Sequence, residues 1–133
     1  MSKYRSDLPQ LSGDLFLTDG GMETTLLFHE GLDLPHFAAF DLLKDEKGRR
    51  KVQEYYRRYA SFALEKGLDF ILESATWRAS ADWGDRLGYE TKALATVNRM
   101  AVEMLHDIRD EFESGDVRFV VSGCIGPRGD GYN

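Results

Sequence analysis

Three short polar segments hold most of the residues in this chain that could do chemistry. The first, Asp19-Gly20-Gly21-Met22-Glu23-Thr24-Thr25, follows the run Leu15-Phe16-Leu17-Thr18. The second, Glu73-Ser74-Ala75-Thr76-Trp77-Arg78-Ala79-Ser80, follows Phe70-Ile71-Leu72. The third, Ser122-Gly123-Cys124-Ile125-Gly126-Pro127-Arg128-Gly129-Asp130-Gly131, follows Phe119-Val120-Val121. Glycines after Asp19 let a ligand or another backbone come close, so Asp19 could accept a hydrogen bond from a substrate amine. Aspartate is also a preferred helix N-cap, and the local pattern alone favours the cap. Glu73 reads as a buried acid or as a rim partner of Arg78. Trp77 could wall a small-molecule pocket or simply pack.

Cys124 invites a nucleophile or metal-ligand reading. A reactive thiol needs a base or a positive field beside it, and the sequence shows no such partner. Free cysteine is often just buried. The glycines at 123, 126, 129 and 131 do not form GxGxxG, and no Lys-Ser or Lys-Thr follows them. Rossmann and P-loop phosphate sites are therefore excluded, although the loop is rich in backbone donors for an anion. His29, His36 and His106 lack metal-binding spacing, and His106 reads as a surface residue.

The elements that position these loops follow from periodicity. Residues 1–13 read as an irregular lead-in and 15–18 as a first strand. A short helix is predicted over 22–29, ending at Gly31, with a connection over 32–40. From 46 to 66 the apolar positions Val52, Tyr55, Tyr56, Tyr59 and Ala63 share one helical face. Gly67 ends that helix before a strand at 69–73. Ser80 is placed to cap a short helix to Leu87, closed by Gly88. A longer helix over 91–112 buries Leu94, Val97, Ala101, Leu105, Ile108 and Phe112. The β-branched run from 117 reads as a third strand, covered on both faces. The order βαβαβ with helical crossovers predicts an α/β fold with parallel strands and all three loops at one end.

Composition narrows the function classes. A chain of 133 residues with 42% apolar and 30% charged residues is globular, and residues 1–133 read as one domain. A net charge of −6 argues against a nucleic-acid partner. Arg49-Arg50-Lys51 reads as a solvated helix start. The single cysteine excludes an intrachain disulfide and a multi-cysteine zinc site built from this chain. No stretch approaches the roughly 20 apolar residues of a membrane span, and no signal peptide is expected, which makes the cytoplasm the default location.

Together the three loops resemble the N-terminal part of the homocysteine S-methyltransferase family. That family opens with a DGGMGT-like turn, here Asp19-Gly20-Gly21-Met22-Glu23-Thr24. It has a TNTY-x-AS-like element after the second strand, here Ala75-Thr76-Trp77-Arg78-Ala79-Ser80, and a GS-I-GP-x-G-like element after the third, here Gly123-Cys124-Ile125-Gly126-Pro127-Arg128-Gly129. Glu23 stands where the family usually has glycine, Ala75 replaces asparagine and Trp77 a smaller aromatic. All three border the expected pocket and leave the choice of thiol open. The resemblance implies a (β/α)₈ TIM barrel that methylates the thiol of homocysteine or a related thiol, a step of methionine biosynthesis. It implies that Asp19, Gly20 and Gly21 help bind the amino acid and that Thr76 and Trp77 line the pocket. Zinc, in that family, is held by three cysteines on later strands, so this chain would supply no metal ligand. Such barrels need about 250 residues. The expectation is therefore an inactive N-terminal fragment, truncated before the zinc-ligand half. The alternatives are a stand-alone, metal-free binding module that oligomerises, and a half-barrel needing a partner chain with the C-terminal half.

Overall fold

The structure, a computed structural model, describes residues 3–133. Its described residues form a three-stranded sheet in the order β1 (Phe16–Thr18), β2 (Asp69–Glu73), β3 (Phe119–Ser122). Both pairings are parallel, with Leu17 opposite Phe70 and Phe70 opposite Phe119. The ladder continues past the strand ends, where the Ser74 amide donates to Ser122 O at 2.9 Å.

Two long helices make the crossovers. Helix α2 (Glu46–Lys66) starts at Asp45, whose Oδ1 accepts from the Gly48 amide at 2.7 Å, and stops at Gly67, which is left-handed at φ 64°. It buries Val52, Tyr55, Tyr56, Ala60 and Ala63. Gly48 must be glycine, because a Cβ there would lie 2.0 Å from Leu42 O. Helix α4 (Thr91–Phe112) buries Val97, Ala101, Met104, Leu105 and Ile108, with Leu94 and Phe112 half-buried at its two ends. The two helices pack on one sheet face, against Phe70, Leu72 and Phe119. The next residues along each strand point the other way, and there Thr18 and Glu73 are exposed.

Several boundaries depart from the sequence expectation. Leu15 lies outside β1 and is 65% exposed. The helix expected over 22–29 begins as α1 (Met22–Thr24) but widens into one π-helical turn, Thr25–His29. The connection beyond Gly31 carries 3₁₀ turns at Pro35–Phe37 and Ala39–Lys44, the second of which buries Phe40 and Leu43 in the core. Helix α3 (Ala81–Arg86) follows Ser80, yet the Ser80 hydroxyl makes no cap bond and its oxygen is buried without a partner. Strand β3 starts two residues late because the Arg118 amide turns aside to Asp69 Oδ1 at 2.7 Å, while Val117 bridges back to Ser114. The lead-in expected over 1–13 carries a 3₁₀ turn, Pro9–Leu11; its first two residues lie outside those described. No described helix is long and apolar enough to cross a membrane.

Candidate functional site

Parallel strands bring their carboxyl ends to one edge, and the three polar loops meet there. A cavity of about 200 Å³ opens between them, lined by Asp19, Gly20, Gly21 and Glu23 from the first loop, Glu73 and Trp77 from the second, and Cys124 from the third.

Asp19 is not a helix cap. Gly21 occupies the N-cap position of α1 and no side chain caps it. The Asp19 carboxylate instead accepts a hydrogen bond from the Tyr55 hydroxyl at 2.9 Å, a phenol delivered by the middle of α2. Burial pushes the Asp19 carboxyl above the usual carboxylate range; the Tyr55 bond opposes this and the nearby Glu73 charge adds to it. Burial raises Glu23 in the same way, with the Asp19 charge adding to the shift. Glu73 is exposed and makes no ion pair with Arg78, against both expectations for it. Its backbone carbonyl accepts from the Tyr56 hydroxyl at 2.7 Å.

The Cys124 thiol faces these acids. Burial, then the Glu73 carboxylate, pushes it up to about 11, so it stays protonated at neutral pH. Its backbone is locked by a ring of hydrogen bonds. The Cys124 amide donates to Ser74 Oγ at 2.9 Å, and Thr76 Oγ1 donates to Cys124 O at 2.7 Å. Since the Thr76 proton is used, the 2.7 Å contact between the two hydroxyls is Ser74 donating to Thr76. Thr76 is therefore buried between the second and third loops rather than lining the cavity. Trp77 does line it, half-buried, with Tyr132 edge-on at 6.0 Å between ring centroids. Gly126 lets the third loop press on the second: a Cβ there would lie 1.9 Å from Trp77 O.

Comparison with protein families matches residues 16–133 to homocysteine S-methyltransferase. The chain belongs to the homocysteine S-methyltransferase family. No curated protein and no solved structure matches it. The family match spans all three strands and loops, and so takes in every residue of the cavity. Asp19, Gly20, Gly21 and Trp77 are brought together as the sequence expects. The sequence marks Tyr55 only as helix core. Its position on the apolar face of α2 carries no signal that its hydroxyl reaches the first loop. Among the described residues, no group of three or more His, Cys, Asp or Glu is arranged to hold a metal ion. The carboxylates and Cys124 therefore form no metal site by themselves; the resemblance puts its zinc ligands on later strands.

Proposed function

We propose that this chain binds homocysteine or a related thiol amino acid for methyl transfer to its sulfur. The observation that carries the reading is the Asp19 carboxylate, fixed by Tyr55 at the carboxyl end of β1 inside the shared cavity, within a chain of this family. An ionised carboxylate is an acceptor only, so it suits the ammonium of an amino acid. Gly20 and Gly21 keep side chains out of the way of that ammonium, and Trp77 walls the cavity and limits water. The acids around Cys124 disfavour a thiolate, so these residues hold and orient the amino acid and do not ionise its thiol.

The proposal extends to architecture. The sheet is the first three strands of a (β/α)₈ barrel, and the outer edges of β1 and β3 pair with strands of a C-terminal half or a second copy. Both edges lack a neighbour among the described residues, which supports this reading. The methyl donor is a separate small molecule, and a reducing cytoplasm suits the unpaired cysteine.

Calorimetric titration with homocysteine tests the site. Asp19→Ala is expected to weaken binding by about 1–3 kcal/mol, the cost of stranding a polar partner. Failure of the parent chain to bind homocysteine, or unchanged affinity in Asp19→Ala, sinks the reading. Combining the chain with a C-terminal half that carries zinc cysteines should then give methyl transfer. Binding without transfer in that mixture favours a metal-free binding module.

A further inference from the structure

Beside the small cavity lies a larger one, of about 640 Å³, sharing Gly21, Glu23 and Trp77 with it and lined further by His36, Arg78 and Asp130. Arg78 is its unusual feature. Only 9% of this side chain is exposed, yet its charge is poorly met. One nitrogen, Nη1, donates to His36 O at 2.9 Å. The opposite edge of the guanidinium, Nε with Nη2, is the fork that grips a carboxylate with two parallel bonds. Here Nε is buried and has no partner among the described residues. Nη2 reaches only Asp130 Oδ1, at 3.5 Å, the outer limit of a hydrogen bond.

The surroundings hold this fork in place. The guanidinium carbon sits 3.9 Å from the ring centroid of Trp83 and 4.5 Å from that of Trp77, so two indoles hold the cation. The Trp83 indole is itself anchored, donating to Gly129 O at 3.0 Å. His36 and Phe37, both at φ 56°, form a strained left-handed pair whose first carbonyl is held by Arg78. An arginine held against two indoles, bonded on one edge and poorly paired on the edge that fits a carboxylate, is built to receive one. Asp130 is also engaged elsewhere, accepting the Tyr132 amide at 3.1 Å, and holds the fork loosely.

We infer that the larger cavity is a carboxylate subsite: Arg78 takes the carboxylate of an amino-acid ligand on its Nε–Nη2 edge, displacing Asp130. Glu23 lines both cavities, so an amino acid whose ammonium lies at Glu23 turns its carboxylate, borne on the same carbon, toward Arg78. The inference rests on the methyl-transfer reading only for its thiol-bearing probes.

Three probes separate the two ideas on the 133-residue chain: homocysteine, 3-aminopropane-1-thiol, which lacks the carboxylate, and norleucine, which lacks the thiol. The parent chain is expected to bind homocysteine and norleucine at least about tenfold more tightly than the aminothiol. Arg78→Gln should remove that preference, leaving the aminothiol within about twofold of its parent affinity. Asp130→Asn, which removes the competing charge and keeps the shape, should tighten both carboxylate ligands by about threefold. It also covers the case in which Arg78→Gln fails to fold. Norleucine binding as well as homocysteine, with the Asp130→Asn gain, keeps the subsite and removes the thiol reading. Aminothiol binding equal to homocysteine in the parent, equal losses for all three probes in Arg78→Gln, no gain in Asp130→Asn, or no binding by any probe would each overturn the subsite.

Discussion

The Tyr55 hydroxyl donates to Asp19 Oδ2 at 2.9 Å, tying the middle of α2 to a loop 36 residues earlier. The same hydroxyl lies 3.2 Å from Gly20 O, so one phenol proton serves two acceptors of the first loop. A fully buried tyrosine on the core face of a helix thus fixes the carboxylate that the site depends on.

Tyr55→Phe keeps the ring and its packing and removes only that donor. The expected cost is about 1–3 kcal/mol at pH 7, because an ionised, half-buried Asp19 loses its partner. The Asp19 carboxyl should titrate higher still, since burial is then opposed by less. Urea unfolding and carboxyl NMR titration of parent and variant check both. An unchanged Asp19 titration would show that the bond does not form in solution.

Glu23 sets a pH dependence of the opposite sense from an ordinary ion pair. Its carboxyl is raised in the folded chain, chiefly by burial. The folded state therefore holds this proton more tightly than the unfolded state. That contribution is full below the unfolded value and is lost as pH rises through the raised one. Glu23→Gln is neutral at every pH and escapes the loss. Its melting temperature should match the parent at about pH 4 and exceed it at about pH 7. Equal melting temperatures at both would show that Glu23 is not desolvated.

Cys124 should be a slow nucleophile. With its thiol at about 11, against an ordinary value of about 8.5, iodoacetamide at about pH 8 should alkylate it tens of times more slowly than a free thiol. Glu73→Gln removes a carboxylate that disfavours the thiolate and should speed the reaction several-fold. Alkylation at the free-thiol rate in the parent would mean that the sulfur is neither buried nor faced by the acids.

What the sequence makes legible follows from which forces are local. Helices α2 and α4 are readable from end to end because their apolar period is a local signal; Asp45 and Gly67 bound α2 as capping chemistry requires. The parallel order is readable because helical crossovers leave little choice. The late start of β3 is not, since it answers to the Asp69 carboxylate of the neighbouring strand, and the π-helical turn at Thr25–His29 carries no local signal either. The site divides the same way. Asp19, Gly20, Gly21 and Trp77 are marked by loop position. Tyr55 and the open edge of Arg78 appear only when distant segments meet. Thr76 carries the same motif signal as Trp77, but its short side chain reaches Cys124 and Ser74 rather than the cavity.

Thr76 is consequently a test of structure held apart from binding. Its hydroxyl closes the ring that runs from the Cys124 amide through Ser74 and back to the Cys124 carbonyl. Thr76→Val keeps the shape and leaves the Ser74 hydroxyl proton and the Cys124 carbonyl without a partner, at an expected cost of about 1–3 kcal/mol in urea unfolding. Thr76→Ser restores donor and acceptor and should recover most of that stability, losing only the packing of one methyl group, about 1 kcal/mol. Because Thr76 lies outside the cavity lining, homocysteine affinity at saturating fold should change by less than about threefold in Thr76→Ser. Loss of affinity in Thr76→Val that exceeds its loss of folded protein and is recovered in Thr76→Ser would place the Thr76 hydroxyl on the ligand, and would mean that the ring opens when the site is filled.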